Sequence, residues 1–83
     1  MAKKHSKVNH RFAGAICTAR LSYGMTQQEV ADFLDCSKRW YQRIESGNSS
    51  PNLEDTIYLM AMFHIDAADI AKEVGMNVPL LTH

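Results

Sequence analysis

The sequence has no apolar run near the roughly 18 residues that a membrane span takes, and its basic start, MAKKHSKVNHRF, leads into no apolar signal segment. Neither membrane insertion nor secretion is expected. Its two cysteines, Cys17 and Cys36, are too few for the disulfide framework of a small secreted domain, so the cytoplasm is the expected compartment. Together with His5 and His10 they lack the paired, close spacing of a zinc site, and no Ser-His-Asp or Cys-His set sits on a scaffold with a pocket. No metal, cofactor or small-molecule ligand is therefore expected. At 83 residues, against ~150 for an ordinary domain, the chain reads as one small domain with little room for a substrate cavity or a ligand-sensing module. That argues against an enzyme.

Net charge is also absent, since nine basic side chains face nine acidic ones, but the two signs are not mixed evenly. Residues 1–45 hold eight of the nine Lys and Arg against four acids, a net of +4, and the rest of the chain carries −4. Such a split points to an electropositive face able to approach nucleic acid.

No segment alternates with period two, whereas several repeat apolar residues at spacings of three and four, so an all-α fold is expected. Residues 1–8 read as a flexible basic arm, 9–75 as the folded domain and 76–83 as an apolar tail. Phe12, Ile16 and Ala19 mark one face of a first helix from about Asn9 to Ser22, closed by Gly24. Thr26-Gln27-Gln28-Glu29 spells a capping box, so a second helix starts at Gln27, with Val30, Ala31 and Leu34 inward. Asp35-Cys36-Ser37 then turns the chain, and Ser37 caps a third helix, Lys38 to Glu45, ended near Gly47. Asn52 caps a fourth helix to about Phe63, whose wide apolar stripe marks it as the central, most buried one. Asp66 caps a short fifth helix through Val74. Both cysteines, Met60 and Met62 read as core or boundary filling.

On a helical wheel the third helix separates into two sides. Lys38, Arg39, Gln42 and Arg43 fall within an arc of about 140°, while Trp40, Tyr41 and Ile44 share the opposite ~100°. Lys and Arg can pair with guanine O6 and N7 and Gln with adenine N6 and N7, so the first side has the chemistry to read base edges. The apolar side is expected to dock on the domain, with Trp40 packed inward or, less simply, leaning on the DNA backbone. A short helix with small Ala31 at the point of approach precedes it across a tight turn, as in a helix-turn-helix.

The stretch TQQEVADFLDCSKRWYQRIESGNSSPNLE resembles the helix-turn-helix of the Cro and phage-repressor class, the xenobiotic-response-element family. The residues that carry the likeness are Thr26, Gln27, Ala31, Ile44, Glu45, Gly47 and Pro51, and it extends more loosely from about Phe12 to Ile70. The resemblance implies a compact five-helix, lambda-repressor-like DNA-binding domain. It also implies a phosphate contact from Gln27, entry of helix three into the major groove, and an ion pair between Arg20 and Glu45. Asp35 and His64 stand where the family often has Gly, and the bulky Trp40-Tyr41 pair replaces smaller residues.

These readings converge on a sequence-specific, double-stranded DNA-binding transcriptional regulator without catalysis, a repressor that occupies its operator. Base contacts are expected from Lys38, Arg39, Gln42 and Arg43, and backbone contacts from Gln27, Ser37, Lys3, Lys4 and Lys7. A homodimer is expected through Val74, Met76, Val78, Leu80 and Leu81, apolar residues beyond what the fifth helix needs for its own core. The alternative is an antitoxin or accessory subunit that chiefly binds a protein and touches DNA secondarily.

Overall fold

The structure, a computed structural model, describes residues 3–75, with side chains from Lys7 onward. It contains α1 (Lys3–Ser22), α2 (Gln27–Leu34), α3 (Lys38–Glu45), α4 (Leu53–Phe63) and α5 (Ala67–Glu73), and no strand among the described residues. The tail residues Met76, Val78, Leu80 and Leu81, and the side chains of Lys3 and Lys4, lie outside what is described.

Each helix start follows from its capping residue. The Thr26 hydroxyl accepts from the Glu29 amide at 3.1 Å and the Glu29 carboxylate accepts from the Thr26 amide at 2.8 Å, so both halves of the capping box form. Ser37 caps α3 by accepting from the Trp40 amide at 3.0 Å, and Asn52 caps α4 by accepting from Asp55 at 2.7 Å. Asp66 accepts from Ala68 at 2.9 Å to start α5. Between α2 and α3 the chain reverses at Asp35, which takes a left-handed conformation (φ 58°) while the Cys36 amide donates to the Ala31 carbonyl at 3.0 Å. His64 repeats the device after α4 (φ 56°).

One core holds the helices together. Phe12 and Ile16 of α1, Val30, Ala31 and Leu34 of α2, Tyr41 and Ile44 of α3, and Leu59 and Phe63 of α4 form it, with Ala19, Met25, Cys36, Met60, Met62 and Ile65 packed at its margin. Ala31 is fully buried. A methyl there lets α2 and α3 approach closely enough to pack as one unit.

Three expectations change. Helix α1 begins at Lys3, not near Asn9, so residues 3–8 are helical rather than a flexible arm. Val8, half-buried one turn before Phe12, continues the apolar stripe, and neither Pro nor Gly interrupts the segment. The central helix is α1, which packs on α3, α4 and α5. Helix α4 instead turns Leu53, Ile57 and Tyr58 to solvent, because it is apolar on both sides and has a neighbour on only one. Finally, Trp40 does not dock. It is 38 % exposed, while Tyr41 and Ile44 are 0 % and 1 % exposed. Those two define the contact, and Trp40 sits past its edge beside Arg43.

Candidate nucleic-acid interface

The docked side of α3 leaves its other side in water. Lys38, Arg39, Gln42 and Arg43 are all exposed, and Lys38 and Arg39 make no hydrogen bond or ion pair among the described residues. Arg43 is tied at one edge: its Nε donates to the Ser49 hydroxyl at 3.0 Å, and its carbonyl accepts from the Asn48 and Ser49 amides at 3.0 and 3.2 Å. That anchors the loop between α3 and α4 while leaving both terminal nitrogens of the guanidinium available for a bidentate contact.

Beneath this face a polar cluster fixes where α3 lies. Glu45 accepts four hydrogen bonds, two on each oxygen. Arg20 Nε (2.8 Å) and the Tyr41 hydroxyl (2.7 Å) donate to Oε2, while Arg20 Nη2 (3.0 Å) and Gln27 Nε2 (2.9 Å) donate to Oε1. A further Arg20 nitrogen donates to the Met25 carbonyl at 2.9 Å, tying in the loop before α2. Burial alone would raise the Glu45 carboxyl, but the hydrogen bonds from Arg20, Tyr41 and Gln27 and the Arg20 charge outweigh it and hold the group below its ordinary value. The Glu45 hydrogen bond raises Arg20 further. Burial first, and then the bond to Glu45, push the Tyr41 hydroxyl far above the usual tyrosine range.

Gln27 bridges this cluster to the exposed face. Its amide donates to Glu45, as above, and its oxygen accepts from Gln42 Nε2 at 3.1 Å. A continuous path therefore runs from Arg20 through Glu45 and Gln27 to Gln42. Sequence reasoning paired Arg20 with Glu45 only through resemblance and missed Tyr41 and Gln27 as partners. The i, i+4 spacing of Tyr41 and Glu45 was the available signal for the first. Ser37 is exposed at the start of α3, with its hydroxyl oxygen engaged as the cap.

The N-terminal turns of α1 lie beside the anchored loop, with Val8 and Asn9 sharing a groove with Ser50 and Pro51. Lys7 is exposed and lines a different groove, with Arg11, Glu73 and the half-buried Val74 at the end of α5. A family model described as a helix-turn-helix domain matches residues 11–73, a span that takes in the two-helix unit, the cluster under it and the helices that support both. The chain belongs to this helix-turn-helix family. The domain type is one found in DNA-binding proteins of the xenobiotic-response-element kind. No curated protein and no solved structure gives a significant match to the chain. In this helix-turn-helix domain α2 and α3 are the paired helices, and α3 is the one whose outer face is free. No helix among the described residues is long and apolar enough to cross a membrane.

Proposed function

We propose that this protein is a sequence-specific, double-stranded DNA-binding transcriptional regulator, a repressor that acts in the cytoplasm by occupying its operator. The observation that carries the reading is the outer face of α3, where four long donors stand exposed on a helix held from behind by Tyr41, Ile44 and the Glu45 cluster. Arg39 and Arg43 suit guanine and Gln42 suits adenine in the major groove. Gln27, Ser37 and the lysines Lys3, Lys4 and Lys7 contact phosphates. Because residues 3–8 belong to α1, these lysines approach the duplex from a helix rather than from a loose arm.

An eight-residue recognition helix spans about 12 Å, which reaches only a few base pairs. Tight specific binding then calls for two copies, with recognition helices roughly 34 Å apart on a palindromic site. We place that contact at the C-terminal end, through Val74 and the apolar Met76, Val78, Leu80 and Leu81. Selection of bound sites from random duplex DNA tests the reading. An inverted repeat with half-sites about 10 base pairs between centres is expected, and recovery of no preferred sequence would leave only nonspecific binding. Sedimentation of the full chain and of a version ending at Gly75 tests the dimer surface.

A further inference from the structure

On the flank of α3, next to the Arg43 edge of its donor face, the chain leaves aromatic side chains uncovered. Phe33 at the end of α2, Trp40 on α3 and Tyr58 on α4 are 56 %, 38 % and 47 % exposed. They line one open groove, in which the Phe33 and Tyr58 rings meet edge to face with centroids 5.8 Å apart. Among the described residues nothing covers these three rings, and uncovered aromatic side chains that gather in one groove are often functional. Three carboxylates, those of Asp35, Glu54 and Asp55, line the same groove and no basic residue does. Neither ion pair of the described residues involves them. Their negative field reaches the half-buried Cys36, whose thiol is pushed up by burial first and then by Asp55 and Asp35.

The charges decide what can cover the rings. Duplex DNA is repelled by three carboxylates that no cation of the described residues pairs. A second copy placed face to face would bring like charges together. A cationic segment with apolar anchors meets every feature present. Its Lys or Arg would face the carboxylates and lie over Trp40 and Tyr58, while its aliphatic side chains cover the rings. We infer that the Phe33–Trp40–Tyr58 groove is a docking site for a basic, amphipathic segment of another protein, adjoining the face of α3 that addresses DNA.

Trp40 is the chain's one tryptophan and lines the groove, so its emission reports occupancy. The full chain is titrated with a synthetic helical peptide bearing leucines on one face and lysines on the other, and with the same peptide carrying glutamate for lysine. Saturable change of Trp40 emission with the lysine peptide alone is expected, weakened about tenfold in a variant combining Glu54→Gln with Asp55→Asn and weakened again by Tyr58→Ala. Asp35 is left in place because it holds the left-handed turn. Thermal melts confirm that the variants fold, and Tyr58→Ala alone carries the test if the double variant does not. Equal binding of the glutamate peptide, or lysine-peptide binding indifferent to these substitutions, would overturn the proposal. Self-association without peptide that Tyr58→Ala abolishes would assign the groove to a second copy instead.

Discussion

Arg20 and Glu45 meet edge to edge, with two guanidinium nitrogens on the two carboxylate oxygens at 2.8 and 3.0 Å and side-chain exposures of only 12 % and 6 %. The contact joins α1 to the last residue of α3. An exposed ion pair contributes ~0–1 kcal/mol, but here the loss of one partner strands the other charge away from water. Glu45→Ala also orphans the Tyr41 hydroxyl and one Gln27 donor. We therefore expect Arg20→Ala and Glu45→Ala each to lower unfolding free energy by about 2–4 kcal/mol in urea titrations. A loss under ~1 kcal/mol for both would reduce the pair to an ordinary surface contact.

The same cluster sets a pH window. The Glu45 carboxyl sits lower in the folded chain than its ordinary 4.5, so its stabilisation is complete above that value and is lost as pH falls through the lower, folded one. Tyr41 is raised above its ordinary 10.0, so its contribution is complete below that value and is lost as pH rises beyond it. Melting temperature should fall on both sides, with Glu45→Gln flattening the acid limb and Tyr41→Phe the alkaline one. An unaltered acid limb in Glu45→Gln would place the responsible carboxylates elsewhere.

Two turn positions should respond in opposite directions. Gly47 has φ +83°, and a Cβ there would stand 2.9 Å from His10 Cδ2, so Gly47→Ala meets both an unfavourable backbone and a side chain of α1. A loss of about 1–2 kcal/mol is expected. His64 holds φ 56° with a side chain that is exposed and touches Tyr23 only edge-on. His64→Gly should gain about 0.5–1 kcal/mol by relieving the left-handed strain. Differential scanning calorimetry reads both, and destabilisation by His64→Gly would mean that the Tyr23 contact outweighs the strain.

What could be read in advance was local. Capping boxes, caps and breaks act within four residues, so the starts at Gln27, Lys38 and Leu53 follow from Thr26, Ser37 and Asn52 alone. What could not be read depends on how many neighbours a helix has. Val8 gains its role only because the loop at Ser50 and Pro51 lies beside it. The apolar outer face of α4 looks like core until Leu53 and Ile57 are found exposed and Tyr58 is met only edge-on by Phe33. Trp40 and Tyr41 are adjacent and both aromatic, and the wheel favours either; packing against α1 and α2 selects Tyr41, whose hydroxyl has Glu45 to bond and can be buried without loss. On the donor face the four side chains were legible from spacing, whereas the Gln27–Gln42 contact needed the two helices in place.

The decisive prediction for DNA concerns two arginines that the structure treats differently. Arg39 has no partner among the described residues, while Arg43 also holds Ser49. Arg39→Ala should cost about 1–3 kcal/mol at the selected site and change binding to random duplex little, the mark of a base contact. Arg43→Ala should cost at least as much at that site and should also loosen the α3–α4 loop, lowering amide exchange protection at Asn48 and Ser49, whose N–H groups donate to the Arg43 carbonyl. Ser49→Ala separates the two effects: it removes the restraint on Arg43 Nε but leaves the terminal nitrogens, so specific binding should weaken only slightly. Anisotropy titrations of each variant on cognate and random duplexes give the comparison. Equal losses on both duplexes for Arg39→Ala would move that residue from base reading to phosphate contact, and the specificity would then have to come from Lys38, Gln42 and Arg43.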